Sequence, residues 1–489
     1  MITNNTVGVV GVWSALNYGS ELTYYALYQV LKDEKKNVLM LEQSPTENHM
    51  EETVGPELFR NNPYPLDSLR MGSVSQMQEL NEVCDTFVVG SDQLWRYRFF
   101  KKKRDVNLLS FVSANKRKIS YATSFGEKVY SAPPEYTSKM LYFLNRFHKI
   151  SVREKSGVDI CNNTFGIDAE WVLDPVFLCD IRHYEALIQN AKVSLEEPFV
   201  FVYLVHPTKE KKEFIKEAVL RMGKKAVFVR SPNRKTESED WDTDFEDDCK
   251  VEDLLYYIKQ CDRVITDSFH GYCFCIIFNK QIIPMFQTVG GDDSAERTLS
   301  LMSALGIEAS VFMTDVDIEQ YCSGEKDIIY KVINKRLDAE RKRCRQWLLE
   351  ALDTEVTYDK SDLLWDAIRP EIYKMREREL QQEEAQRERK RLENANRNIV
   401  LFGTGKIFLH HRASIMKHMN VCSITDNNPD KWGREYDGIV CVRPEELKDI
   451  DNPYVLITVS DKKLVDSIRI QLSEMGIEDV AKLSEWMDV

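Results

Sequence analysis

The chain has 489 residues and a formal charge of -13, from 66 Lys and Arg against 79 Asp and Glu; at roughly 100–200 residues per domain it holds two to four domains. The balance of 43% hydrophobic and 30% charged residues is that of a globular protein, and no uncharged apolar run reaches the roughly 20 residues of a spanning helix. So acidic a chain argues against coating nucleic acid, whose affinity rests on phosphates neutralised by Lys and Arg, while leaving room for a local basic pocket.

Residues 1–6 are polar and uncharged, so no signal peptide is expected. The eleven cysteines are odd in number and form no C-x-x-C pair. That pattern fits buried thiols in a reducing compartment rather than a zinc ribbon, and a cytoplasmic protein is expected.

Residues 7–13 (VGVVGVW) read as a buried strand and residues 20–33 as a helix with Leu22, Tyr25, Ala26 and Val30 on one face. Further strands are expected at 38–41, 86–89, 119–123, 150–153 and 171–173. A second series begins with the strand 199–205 (FVFVYLV) and continues through a helix at 209–222, a strand at 226–230, a helix at 253–259, a strand at 263–266, an apolar helix at 270–278 and a strand at 281–285. Strands alternating with helices predict parallel, doubly wound sheets. The acidic stretch 231–250 reads as a mobile loop. Residues 371–397 interleave Glu and Gln with Lys and Arg and carry too few apolar residues for a heptad seam, so a solvated helical spacer is favoured over a coiled coil. Residues 398–489 form a third, small α/β unit. The expected organisation is a Rossmann-like domain at 1–190, a second with closing helices at 191–352, a charged linker at 353–397 and a C-terminal Rossmann-like module at 398–489.

In doubly wound sheets, ligands bind beyond the carboxyl ends of the strands. The first such loop carries Asn17, Gly19 and Ser20 and opens a helix, a setting suited to an anion; equally, it reads as an ordinary turn with Gly19 in the left-handed region. The strand at 86–89 is followed by Gly90-Ser91-Asp92-Gln93-Leu94-Trp95, either a pocket wall or a helix cap beside a core Trp. Ser124 follows the strand at 119–123. Arg153 ends the next strand, where a guanidinium can clamp a phosphate or carboxylate; a structural salt bridge to Glu154 or Asp174 is the alternative. Asp267 and Ser268 precede His270 at a helix N-terminus, where the helix dipole disfavours imidazolium unless an anion or Asp267 compensates.

These blocks, in this order, resemble the polysaccharide pyruvyl transferase family: Asn17-Tyr18-Gly19-Ser20-Glu21, Gly90-Ser91-Asp92-Gln93-Leu94-Trp95, Tyr121-Ala122-Thr123-Ser124-Phe125-Gly126, Ser151-Val152-Arg153-Glu154, Val172-Leu173-Asp174-Pro175 and Thr266-Asp267-Ser268-Phe269-His270-Gly271, with Arg297 downstream. The resemblance implies two Rossmann-like domains in a GT-B-like arrangement with the site in their cleft. It implies transfer of pyruvate from phosphoenolpyruvate, as donor substrate, onto two hydroxyls of one sugar as a cyclic ketal, with no metal and no further cofactor. Some family members carry Arg-Leu-His where this chain has Ser268-Phe269-His270, so the adjacent Arg is absent here. On this reading His270 is the general acid, Arg153 clamps the donor, Arg297 is a second anion contact, and Asn17, Gly19, Ser20, Asp92, Ser124, Asp267 and Ser268 line the pocket. The implied partner is a sugar or lipid-linked glycan acceptor, which leaves room for transient contact with a membrane surface and for a homo-oligomer. The competing readings are a GT-B-like glycosyltransferase using a nucleotide sugar and a non-catalytic scaffold in polysaccharide synthesis.

In the C-terminal unit, Gly403-Thr404-Gly405 after a strand, with Asp426 about twenty residues on, resembles a nucleotide-binding fingerprint. The last glycine of that pattern is replaced by Phe408.

Overall fold

The computed structural model describes residues 5–12, 17–43, 68–71, 77–97, 104–195, 197–231, 249–286, 295–307, 313–394 and 396–486. The expected loop at 231–250 falls almost wholly outside them, as do residues 13–16 of the first strand-to-helix connection.

The apolar run near the N-terminus forms β1 (Thr6–Val10), and the chain then lays down β2 (Asn37–Gln43), β3 (Ser68–Met71), β4 (Thr86–Val89), β5 (Arg117–Thr123), β6 (Lys149–Val152) and β7 (Glu170–Trp171). They make one parallel sheet in the order β3-β2-β1-β4-β5-β6-β7, the doubly wound order in which the chain reverses direction beside β1. Helix α1 (Tyr18–Asp33) crosses from β1 to β2 and is buried along nearly its whole length. That burial explains why it reads as aromatic and aliphatic on almost every face.

The second sheet is also parallel, in the order β11-β10-β8-β9, from β8 (Phe199–Leu204), β9 (Lys225–Arg230), β10 (Arg263–Thr266) and β11 (Gln281–Pro284). The continuous apolar run of β8 is buried at all six positions, as expected for a strand covered on both faces. A single cluster of buried side chains joins the first sheet, α1 and the second sheet, with Tyr25, Val172, Phe201, Phe274 and Leu348 among its members. Residues 1–370 form one compact unit. Two parallel, Rossmann-like sheets within one compact unit are the arrangement expected from the sequence.

In the first sheet, Lys118 on β5 is 1% exposed, and its Nζ donates to the carbonyls of Lys116 at 3.0 Å and Ala114 at 3.3 Å. Burial, aided by Arg146 and opposed by Asp362 and Asp366, pulls its ammonium down to about 7.

Residues 371–489 form a second unit. Its sheet, in the order β14-β15-β13-β12-β16-β17, is parallel except for the edge pair of β14 (Glu435–Tyr436) and β15 (Ile439–Val442); the others are β12 (Asn398–Phe402), β13 (Val421–Thr425), β16 (Pro453–Ile457) and β17 (Val480–Lys482). The charged stretch belongs to a helix spanning Lys360–Glu393. Among the described residues no helix is long and apolar enough to cross a membrane.

Candidate functional site

The site is built where strands of both sheets in the first unit end. Asn17 caps α1: its side-chain oxygen accepts from the backbone N–H of Gly19 at 2.9 Å and of Ser20 at 3.3 Å, so two of the free donors at the helix start are satisfied internally. Asn17 therefore shapes the site from its edge.

Gly19 lies within the helix rather than in a left-handed turn, and its value is proximity. A Cβ added there would stand 2.2 Å from Nδ1 of His270, so a side chain at this position is excluded by the imidazole. His270 is the second residue of the helix Phe269–Ile277, which follows β10 and is capped by the Ser268 hydroxyl accepting from the Gly271 N–H at 3.1 Å. Ser268 is thus occupied as a cap.

The His270 ring is anchored on its other nitrogen. Nε2 lies 2.7 Å from the Thr23 hydroxyl on α1 and 3.5 Å from Oδ2 of Asp174. Asp174, between β7 and a short 3-10 turn, is fully buried. Its carboxylate accepts from Ser91 Oγ at 2.9 Å, the Val176 N–H at 3.2 Å and Arg153 at 2.8 Å. Burial alone would raise the Asp174 carboxyl, but His270 and Arg153 outweigh it and hold the group well below the usual carboxylate range.

Arg153 sits at the end of β6 as expected, but its geometry corrects the clamp assignment. One arm of its fork pairs with Asp174 and the other with Asp92 at 3.0 Å. Its side chain is 0% exposed. Both terminal nitrogens are thus committed, and Arg153 organises Asp92 and Asp174, while its buried Nε makes no hydrogen bond among the described residues. Asp92 receives the Ser20 hydroxyl at 2.5 Å. Burial pushes its carboxyl up, but the charges of Arg153 and His270 and the Ser20 hydrogen bond hold it at about 2. Its backbone lies at φ 96°, a left-handed conformation that costs a non-glycine residue about 1–3 kcal/mol. Local strain thus coincides with the most solvent-open carboxylate of the group, whose side chain is 20% exposed.

Arg297, in the first turn of the helix Glu296–Leu305, makes no ion pair among the described residues. Its guanidinium stacks on the Phe269 ring at 5.1 Å, the same ring that Arg153 approaches at 5.1 Å. Burial and the neighbouring Arg153 lower its guanidinium to about 10, against the pull of Asp92 and Glu154, so it stays cationic at neutral pH. Glu154 is fully buried. One carboxylate oxygen accepts from the N–H groups of Phe125 at 2.7 Å and Gly126 at 3.2 Å, and burial raises the carboxyl despite Arg153 and Arg297. Ser124 is fully buried and accepts from the Gly126 N–H at 3.1 Å, which makes it part of this inner network.

Asp267 is not brought to His270, which corrects its pocket and compensating roles. Its oxygens accept from the backbone of Val205 at 2.6 Å and His206 at 2.9 Å and pair with Lys211 Nζ at 2.5 Å. It ties the end of β10 to the end of β8, and Asp174 is the carboxylate beside the imidazole. Thr23 and Glu154 join the site without having been singled out for it from the sequence. Thr23 had one available signal: it lies three residues after Ser20, on the same helical face.

A family model for polysaccharide pyruvyl transferases matches residues 17–285, more than half of the chain. The chain belongs to the polysaccharide pyruvyl transferase family. As a member it is a polysaccharide-modifying transferase, and the matched segment contains every residue of the cluster above except Arg297. A second family model, C2185-like N-terminal, matches residues 395–481. No curated protein matches the chain. Similar solved structures include a glycosyltransferase from Rickettsia africae (TM-score 0.40, 12% identity, covering 72% of this chain and 100% of that one). They also include the glycotransferase of kitacinnamycin (TM-score 0.38, 15% identity, 72% and 99%) and the wall teichoic acid polymerase TagF (TM-score 0.37, 12% identity, 76% and 90%).

In the C-terminal unit, the Gly403 turn and Asp426 do meet, but through the protein itself. The Thr404 N–H and hydroxyl both donate to one oxygen of Asp426 at 2.7 Å, and the Asn428 N–H donates to the other at 2.9 Å. Gly403 is left-handed at φ 108°, whereas an added Cβ at Gly405 would meet nothing within 4 Å. Phe408 is fully buried and packs edge-on against Tyr436 at 5.2 Å. Asp426 ties the ends of β12 and β13 together.

Proposed function

We propose that the protein transfers pyruvate from phosphoenolpyruvate onto two hydroxyls of one sugar in a polysaccharide or its lipid-linked precursor. The observation that carries this reading is the His270 imidazole, anchored through Nε2 with Nδ1 facing the first turn of α1, together with an Arg297 that stacks on the adjacent Phe269 ring and has no carboxylate partner among the described residues. A donor with a phosphate and a carboxylate calls for such a cation. Protonation of an enol carbon calls for a fixed imidazolium.

In this scheme His270 gives a proton to the methylene carbon of phosphoenolpyruvate, making it a methyl group. Electron deficiency then develops at the central carbon, to which the first acceptor hydroxyl oxygen bonds. The second hydroxyl oxygen bonds to the same carbon as its bond to the phosphate oxygen breaks, and phosphate leaves with the electron pair. One hydroxyl proton restores imidazolium at His270, and the other departs on phosphate. Arg297 binds the donor anion, Arg153 holds the carboxylates in place, and Asp92 with Ser20 faces the acceptor side.

The test is phosphate release from phosphoenolpyruvate over a panel of glycan acceptors. His270→Gln is expected to lower turnover by about 10²–10⁴-fold, the usual share of a general acid. Near-normal turnover in that variant would remove the acid role.

A further inference from the structure

We propose that Thr23 is a positioning residue that fixes the tautomer of His270, so that Nε2 always carries a proton and Nδ1 is the atom that exchanges one with substrate. The tautomer assignment stands on geometry alone; Nδ1 as the donor to substrate rests on the function proposed above.

A threonine hydroxyl has one proton to give and lone pairs to accept with. The Thr23 oxygen lies 3.2 Å from Oδ1 of Asp174 and 2.7 Å from Nε2 of His270. Asp174 is held ionised by Arg153 and His270, so it can only accept. If the Thr23 proton points to Asp174, Nε2 must donate to the Thr23 oxygen, and both contacts are hydrogen bonds. If it points to Nε2, that contact is a hydrogen bond, but a hydroxyl lone pair then faces Asp174 Oδ1 at 3.2 Å and an unprotonated Nε2 stands 3.5 Å from Oδ2. Both contacts with the carboxylate are then repulsive. The first arrangement serves neutral imidazole and imidazolium alike, because both keep hydrogen on Nε2. Proton exchange is thereby left to Nδ1, which makes no hydrogen bond among the described residues and lies against Gly19.

Thr23 suits this task. It is 0% exposed on a buried helix, and a β-branched side chain has few rotamers available. The charged groups that bear on the ring are Asp174 and Asp92, each paired with Arg153.

The test uses the full-length protein labelled with ¹⁵N only at histidine. The chain has eight histidines, and the His270 signals are those lost in His270→Gln. Above the imidazole titration, wild type and Thr23→Ser should show a protonated Nε2 and an unprotonated Nδ1. Thr23→Val, similar in size but without the hydroxyl, should lose that preference. In phosphate release, Thr23→Val should lower kcat by about 10- to 100-fold with KM for phosphoenolpyruvate within about two-fold, and Thr23→Ser should recover most of kcat. A wild-type His270 with hydrogen on Nδ1, or a Thr23→Val protein with unchanged tautomer and kcat, overturns the proposal. Absence of turnover in wild type with the predicted tautomer instead overturns the donor assignment and leaves Thr23 in its role.

Discussion

Replacing Gly19 by alanine should separate stability from activity. The added Cβ would stand 2.2 Å from Nδ1 of His270, about 1.2 Å short of the 3.4 Å at which ordinary contact begins. The helix backbone at Gly19 is held by the Asn17 cap and by burial of α1, so the imidazole has to yield. A shift of about 1 Å in a reacting group can lower turnover by about 100-fold. Stability should change little, because alanine is favoured over glycine in a helix by up to about 1 kcal/mol, which offsets part of the cost of moving the ring. The assay pairs phosphate release from phosphoenolpyruvate with thermal unfolding. Gly405→Ala serves as the control, since its Cβ meets nothing within 4 Å. A Gly19→Ala protein that keeps turnover within about three-fold of wild type would refute the close approach of His270 to α1 as the reason for glycine here.

Two further predictions concern stability. Arg153→Ala should destabilise the first unit by about 3–5 kcal/mol, measured by urea unfolding, because Asp92 and Asp174 are left without their shared cation; a loss under 1 kcal/mol would contradict that role. Lys118 titrates near 7 in the folded chain and at about 10.4 unfolded, so between these values the unfolded state binds more protons and stability rises with pH. Lys118→Met should remove a rise of up to about 1.4 kcal/mol per pH unit between pH 7 and 10, read as the wild-type-minus-variant difference in unfolding free energy; parallel curves would contradict it.

The fold was readable because its strands are long apolar runs that announce themselves, such as the six buried residues of β8. What escaped were short edge strands. β3 has four residues, β17 three and β14 two, and none of them is a continuous apolar run. The place of His270 at a helix start after β10 was readable from the apolar runs on either side of it. The role of Arg153 was not, because its partners Asp92 and Asp174 lie 61 and 21 residues away and only folding reveals that both arms are taken. The same holds for the exchange of Asp267 for Asp174: each lies near a strand end, and only the folded chain shows which one Lys211 neutralises. Gly19 read either as part of an anion-binding loop or as a left-handed turn, whereas its constraint comes from a ring 251 residues on. Thr23 was hidden in a helix whose burial masks a polar stripe.

The most direct test of the account is thermal unfolding of wild type and Arg297→Ala with phosphoenolpyruvate and, separately, with a nucleoside diphosphate sugar. A donor at about 100 times its Kd adds roughly 2.7 kcal/mol. The account predicts a rise in Tm of a few degrees for wild type with phosphoenolpyruvate and none for Arg297→Ala. A rise with the nucleoside diphosphate sugar and none with phosphoenolpyruvate would contradict it.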